Sequence, residues 1–390
     1  MIFDFYVPTK LISGPGSLKK LHKEQLPGKK ALVVISQGKS MKKNGYLDLL
    51  FQELDQADVS YVLFDGVQAN PTLEAVRQGS KLQKEEDCDF VIGLGGGSTI
   101  DNAKAIAIMG TNSGDYWDYM QAGSGKRKPL EKRPLPLVAI TTTAGTGTET
   151  DPWMVITHEE LNEKIGYGND WTYPVLSIVD PELMLTVPTH LTAYQGFDAL
   201  FHVVEGYINR NHDPIADQFS LQAIELIGKS LPVVVKDGSN LEARTDVALA
   251  NTLAGYSQSM SGCISHHTVE HTLSGFHPNL PHGAGLIMTS KAYFSQYLKW
   301  PEVIGQRYID MAKALGKKDA SKAEDFIEAL VDLQKACGVD NLRMSDFGIK
   351  EEEFPKMLEM LYYLAPTGFS QDPAELRDED FLTIYKESYQ

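Results

Sequence analysis

The sequence predicts an α/β domain with a parallel sheet followed by an all-helical domain, and three observations carry that expectation. Short β-branched runs alternate with amphipathic segments through the first half of the chain, which is the pattern of βαβ units. Three glycines, Gly95, Gly96 and Gly97, stand directly after one of those runs, where a strand must turn into a helix. After Val187-Pro188-Thr189 the strand-like alternation stops and only segments of helical period remain. A chain of 390 residues exceeds what one hydrophobic core commonly supports, so the halves are read as separate domains, residues 1–187 and 188–390.

Taken in order, Ala31 to Ser36, Tyr61 to Phe64 and Phe90 to Leu94 read as buried strands, separated by helical segments over Tyr46 to Gln56 and Thr72 to Gln83. Leu137 to Thr142 and Val175 to Val179 extend the same layer, and Gly123 to Pro134, rich in Gly, Lys, Arg and Pro, reads as an exposed loop. The first domain is therefore expected to be Rossmann-like in architecture. In the second, helices are expected over Thr189 to Asn209, Ala216 to Val235, Asn240 to Met260, Ala284 to Leu298, Pro301 to Leu315 and Ser321 to Ala336, with two more after Lys350. Thr189 is placed as the N-cap of the first of these. The active site is expected in the cleft between the two domains.

Composition narrows the function. A hydrophobic fraction of 42% with 23% charged residues is ordinary for a globular enzyme and excludes disorder. A formal charge of −16 and a pI near 5.1 argue against nucleic acid or an anionic membrane as partner, since a phosphate surface needs a basic face. Cys88, Cys263 and Cys337 are far apart and odd in number, so neither a disulfide framework nor a thiolate metal site is suggested. The first residues carry an acid and no long apolar run, and no stretch reaches the length of a spanning helix; a cytoplasmic protein is expected.

Chemistry concentrates between Asp198 and His282. Asp198 and His202 are four apart in an apolar context, so a helix stacks both side chains on one face. His267 and His271 repeat the spacing with Glu270 between them, and a Pro-His-Gly at 281–283 closes the segment. A single histidine on a helix is usually an ordinary hydrogen-bonded residue. The clustering of a carboxylate with several imidazoles points to one divalent metal, Fe(II) or Zn(II), because neutral imidazole binds both.

The glycine run continues as Gly95-Gly96-Gly97-Ser98-Thr99-Ile100-Asp101 and opens a helix. A tight strand-to-helix turn alone would require glycine. Three in succession also let a backbone approach a pyrophosphate, with the N–H groups of the helix start binding the anion. This is not the Gly-x-Gly-x-x-Gly fingerprint of the common dinucleotide fold.

With these motifs the chain resembles the iron-containing (group III) alcohol dehydrogenases over nearly its whole length, in particular their butanol dehydrogenase-like branch. The resemblance implies that Asp198, His202, His267 and His282 hold the metal and that His271 relays the alcohol proton. His266 and His277 match no ligand. The Gly-Gly-Gly-Ser-x-x-Asp-x-x-Lys element implies that Gly95, Gly96, Gly97, Ser98 and Asp101 bind the nicotinamide cofactor, as do Thr142, Thr143 and Thr146 of the stretch Thr141 to Glu149, and Lys164. At the end of the strand at Ser36, NAD-preferring members carry an aspartate. This chain has Gly38, followed by Lys39, Ser40, Lys42 and Lys43, so the resemblance implies NADP(H) over NAD(H), with Gly38 and Ser40 in the cofactor set.

The function so implied is metal-dependent, NADP-linked hydride transfer between nicotinamide and a small alcohol or aldehyde, with a homodimer expected. The alternatives within the same superfamily are a dehydroquinate-synthase-like lyase, which uses NAD transiently, and a sugar-acid or polyol dehydrogenase. A phosphorylated substrate needs cations near the metal, and from Asp198 to His282 only Arg210, Lys229, Lys236 and Arg244 are present, none adjoining a ligand.

Overall fold

The computed structural model describes residues 3–366 and 368–389. The chain forms two compact units, Tyr6–Thr186 and, from Val187 onward, a second that also takes in the described residues before Tyr6.

The first unit runs β1 (Lys10–Ser13), β2 (Lys30–Ser36), α1 (Ser40–Lys43), α2 (Tyr46–Gln56), β3 (Ser60–Val67), α3 (Leu73–Glu85), β4 (Phe90–Gly95), α4 (Gly97–Thr111), β5 (Leu137–Thr141), β6 (Met154–His158), β7 (Glu163–Tyr167) and β8 (Leu176–Val179). Six strands form one parallel sheet in the order β1-β8-β5-β4-β2-β3. Parallel strands covered on both faces are apolar throughout. Ala31 to Ile35 in β2 are all fully buried, as are Phe90, Val91, Ile92 and Leu94 in β4. The chain leaves β2 toward β3 on one side and leaves β4 toward β5 on the other. The sheet thus changes direction between β2 and β4, and in open α/β sheets ligands bind beyond the carboxyl ends of the strands at such a point. Gly38 follows one of these strands and the glycine run the other.

Three strands lay outside the sequence reading. β1 has four residues, too few to show a period, and gains its place by pairing with β8 at the sheet edge. β6 and β7 pair antiparallel as a separate hairpin. Its turn contains Asn162 at φ +55°, a left-handed conformation that asparagine tolerates and that marks a hairpin.

The second unit is helical: α5 (Thr189–Ile208), α6 (Pro214–Lys236), α7 (Leu241–Ser261), α8 (Ser265–Phe276), α9 (His282–Gln296), α10 (Pro301–Ala314), α11 (Glu324–Ala336), α12 (Phe354–Leu364) and α13 (Asp378–Ser388). The cap of α5 differs from expectation. Thr189 is its first residue and Pro188 caps it through its carbonyl, which accepts from the Thr192 N–H at 2.8 Å. The next two helices start on side chains, Asp213 accepting from the Ile215 and Ala216 N–H groups and Asn240 from that of Ala243. Every residue of α5 from Gly196 to Ile208 is buried, so this helix runs through the core of its unit. Among the described residues no helix is long and apolar enough to cross a membrane.

Candidate metal and cofactor sites

A buried helix carries ionisable side chains only where they are paired or hold a ligand. On α5, Asp198, His202 and Glu205 stand at spacings of four and three, hence on one face. Around Asp198 Oδ1 three imidazoles converge: His282 Nε2 at 3.4 Å, His267 Nε2 at 3.6 Å and His202 Nδ1 at 3.7 Å. Asp198 Oδ1 and His267 Nε2 are buried and neither has a hydrogen-bond partner. Two buried polar atoms facing each other unsatisfied are costly unless a cation lies between them. Burial works to raise the Asp198 carboxyl, and the His202 and His282 imidazoles hold it well below its ordinary value. Burial pushes His202 down to about 4 against the opposing Asp198 charge. An anionic carboxylate beside a neutral imidazole is the state a divalent cation requires of its ligands. The residues therefore fit a divalent metal.

Two further carboxylates orient the rings. His267 Nδ1 donates to Glu205 Oε1 at 2.6 Å, and His282 Nδ1 donates to Glu270 Oε2. In the neutral ring, each bond would favour the tautomer whose Nε2 is free to bind a cation. Glu205 also accepts from His266 Nδ1 at 3.0 Å and, through Oε2, from the Ile264 N–H at 2.9 Å, so one side chain of α5 secures the start of α8. Burial works to raise its carboxyl, and His267 and His266 hold it down at about 2. The glycine of the Pro-His-Gly element has a steric cause: a Cβ on Gly283 would lie 2.2 Å from the Tyr194 carbonyl oxygen. Only glycine lets α9 begin against the backbone of α5, which delivers His282 to Asp198. A Cβ on Gly285 would lie 2.9 Å from Glu270 Cγ, so that glycine makes room for the carboxylate behind His282.

The sequence reading missed Glu205 altogether and noted Glu270 only by position. Spacing could have found both, since each lies three residues after a ligand candidate on the same helix. Cys263, whose sequence position suggested no metal role, has its sulfur within 4.8 Å of a ring nitrogen of each of His202 and His267. The remaining histidines fall into place. His271 is half-buried with its ring 5.5 Å from that of His282. His266 is fully buried between Glu205 and Thr289, a structural role, and His277 pairs with Glu353 at 3.1 Å.

In the α/β unit, the glycine run and the threonine stretch meet. Gly95 is in register with Thr141, and the Thr142 N–H donates to the Gly95 carbonyl at 2.9 Å. A Cβ on Gly96 would lie 3.0 Å from Thr143 Cγ2, and one on Gly97 would lie 2.4 Å from Thr146 Cγ2. The glycines thus let two threonines lie over the N-terminus of α4, with Ser98, Thr143 and Thr146 partly exposed there and Thr142 buried. Asp101 is otherwise engaged: Oδ1 accepts from Thr148 Oγ1 at 2.7 Å and Oδ2 from the Val155 N–H at 2.9 Å, tying the threonine stretch to β6. Burial pushes its carboxyl up to about 6. Lys104 lies beside it, buried, its Nζ donating to Thr148, Asp151 and the Trp153 carbonyl. Lys164 is buried on β7 and reaches Asn70 Oδ1 at 3.4 Å.

Gly38 and Ser40 are exposed just beyond β2. Of the three lysines there, Lys42 is paired with Asp65 at 2.6 Å, which the sequence spacing did not reveal. The local positive charge therefore rests on Lys39 and Lys43.

Comparison with known proteins shows the family. Residues 8–181 match the family described as iron-containing alcohol dehydrogenase, and residues 192–389 match its C-terminal domain. The 1,3-propanediol dehydrogenase of Klebsiella pneumoniae is 33% identical over 396 residues, covering 100% of this chain and 99% of that protein. The choline dehydrogenase of Bacillus subtilis is 35% identical over 398 residues, covering 99% and 94%. Among solved structures, an archaeal halo-thermophilic alcohol dehydrogenase from a Red Sea brine pool superposes with a TM-score of 0.92 at 33% identity, covering 100% of this chain and 99% of that one. A 1,3-propanediol oxidoreductase superposes at 0.90 with 32% identity and full coverage of both chains. These matches define an oxidoreductase of the alcohol dehydrogenase class, whose family implies a divalent metal and a nicotinamide cofactor. The chain belongs to the iron-containing alcohol dehydrogenase family.

Proposed function

We propose that this protein is an NADP(H)-linked alcohol dehydrogenase or aldehyde reductase in which Asp198, His202, His267 and His282 hold one divalent ion, Fe(II) or Zn(II). The observation that carries the reading is the buried, unpartnered pair Asp198 Oδ1 and His267 Nε2, 3.6 Å apart. A divalent ion held there would supply Lewis acidity toward a substrate oxygen, and a bound nicotinamide would supply the hydride chemistry. The protein's part is to hold these groups. Glu205 and Glu270 keep the His267 and His282 rings aimed, and the N-terminus of α4 with Thr143 and Thr146 receives the cofactor phosphates. His271, half-buried beside His282, takes the alcohol proton in oxidation and returns it in reduction. The names of relatives support a small alcohol as substrate, among them NAD-dependent methanol dehydrogenase and a probable NADH-dependent butanol dehydrogenase. Matches to alcohol dehydrogenases along the whole chain disfavour the lyase alternative.

The NADP preference rests on Gly38. A Cβ built there would lie 3.5 Å from Ser36 Oγ and 3.9 Å from Ser40 Oγ, so the space an aspartate would occupy is open and lined by hydroxyls. The test is NADPH consumption across a panel of short aldehydes by protein stripped of metal and reloaded separately with Fe(II) and Zn(II). Turnover that needs the ion and favours NADPH supports the reading. Loaded protein that reduces no aldehyde, or that favours NADH, opposes it. In the same assay His271→Ala is expected to keep its metal and lose about 10²-fold in turnover.

A further inference from the structure

Cys263 lies in the short connection between α7 and α8, four residues before His267. The connection is pinned at both ends. Gly262 takes φ +70° to leave α7, its N–H bonded to the Gln258 carbonyl at 3.0 Å, and the Ile264 N–H is held by Glu205. The sulfur lies with ring nitrogens of His202 and His267, all within 4.8 Å of one another. The Gln258 side-chain amide approaches Sγ at 3.8 Å. His267, 6% exposed, belongs both to this group and to the group with Asp198 and His282, so two donor sets overlap through His267. One is built of a carboxylate and imidazoles, the other of imidazoles and a thiol.

We propose that Cys263 supplies a thiolate to a thiophilic divalent ion, Zn(II), Co(II) or Cd(II), which it holds together with His202 and His267. The inference rests on the metal reading above and extends it: the harder Fe(II) is served by the oxygen-containing set, and softer ions are drawn toward sulfur. Binding converts the thiol to a metal-bound thiolate and releases one proton to solvent. Around a tetrahedral ion, nitrogen and sulfur donors sit about 3.5 Å apart, so the three donor atoms, already within 4.8 Å, would need to draw in by about 1 Å. The proposal has a consequence for preparation. Protein produced with zinc in excess then carries a sulfur ligand on its ion and differs in its metal chemistry from protein loaded with iron.

X-ray absorption at the zinc edge of the zinc-loaded, full-length protein tests this without a variant. The expected spectrum shows a sulfur neighbour at about 2.3 Å beside nitrogen or oxygen neighbours at about 2.0–2.1 Å. Cys263→Ser should lose the sulfur shell and weaken zinc in chelator competition at least tenfold, roughly the lower end of what a support to a metal site contributes, while changing Fe(II) affinity less. One zinc per chain with only nitrogen and oxygen neighbours overturns the thiolate and leaves the metal site standing. A chain that binds iron but no zinc overturns the thiolate alone, and one that binds neither overturns both.

Discussion

Between Gly95 and Gly97 the α/β unit makes its site by leaving side chains out, whereas α5 and α8 make theirs by placing carboxylates and imidazoles in an apolar interior. At Gly97 a single methyl group would come 2.4 Å from Thr146 Cγ2, and what the glycines leave open is the approach to the N–H groups of α4. At Asp198 the reverse holds, since each side chain is needed and each requires a partner behind it. Glu205 supports His267 and Glu270 supports His282. The difference teaches that the first site should fail on adding atoms and the second on removing charge.

The largest expected effect sharpens the first half of that contrast. Gly97→Ala should weaken cofactor binding by about 10²-fold, about 2.8 kcal/mol, because a β-branched threonine in a packed loop cannot rotate clear of the new methyl. Thr146→Ala in the same background should recover part of the loss, as read by cofactor titration. If Gly97→Ala binds as well as the wild type, the glycines serve only the turn.

Next comes Gly38→Asp, which adds a charge in place of bulk. The NADP(H) 2′-phosphate would meet a carboxylate, and the ribose hydroxyls of NAD(H) would gain an acceptor, so the ratio of kcat/KM values should move toward NADH by about 10²-fold. An unchanged ratio means that the adenosine ribose does not lie beyond β2. Because Lys42 is already paired with Asp65, Lys42→Ala should change the ratio much less than Lys39→Ala or Lys43→Ala.

The smallest effect tests the second half. Glu270→Gln keeps an acceptor for His282 Nδ1 and loses the charge, so metal affinity in chelator competition should fall by about tenfold, with Glu270→Ala falling further toward 10²-fold. Equal losses for Gln and Ala would mean that charge alone matters and that aiming the ring does not.

How much of this was legible in the sequence follows from the same contrast. The buried parallel strands announce themselves as continuous apolar runs, and the Asp-x3-His and His-x3-His spacings place ligands on a helix face with no tertiary knowledge. The hairpin of β6 and β7 was not legible because five-residue strands flanked by charged residues show no period. The contacts of Asp101 and Lys104 with Thr148 and the start of β6 were not legible either, since that pairing exists only after folding. Cys263 was passed over for the same reason. A cysteine four residues from a histidine means little until Gly262 turns the chain and brings the sulfur beside His202.

The central claim is that one divalent ion is held where Asp198 Oδ1 and His267 Nε2 face each other unsatisfied. Metal content per chain in His267→Ala, after the same reconstitution that loads the wild type, tests it most directly. The expected result is one ion per chain in the wild type and less than about a tenth of that in the variant, since a lost ligand should cost more than the 10- to 100-fold of a lost support. A variant that keeps both stoichiometric metal and turnover would contradict the ligand set, and with it the account of what the buried carboxylates are for.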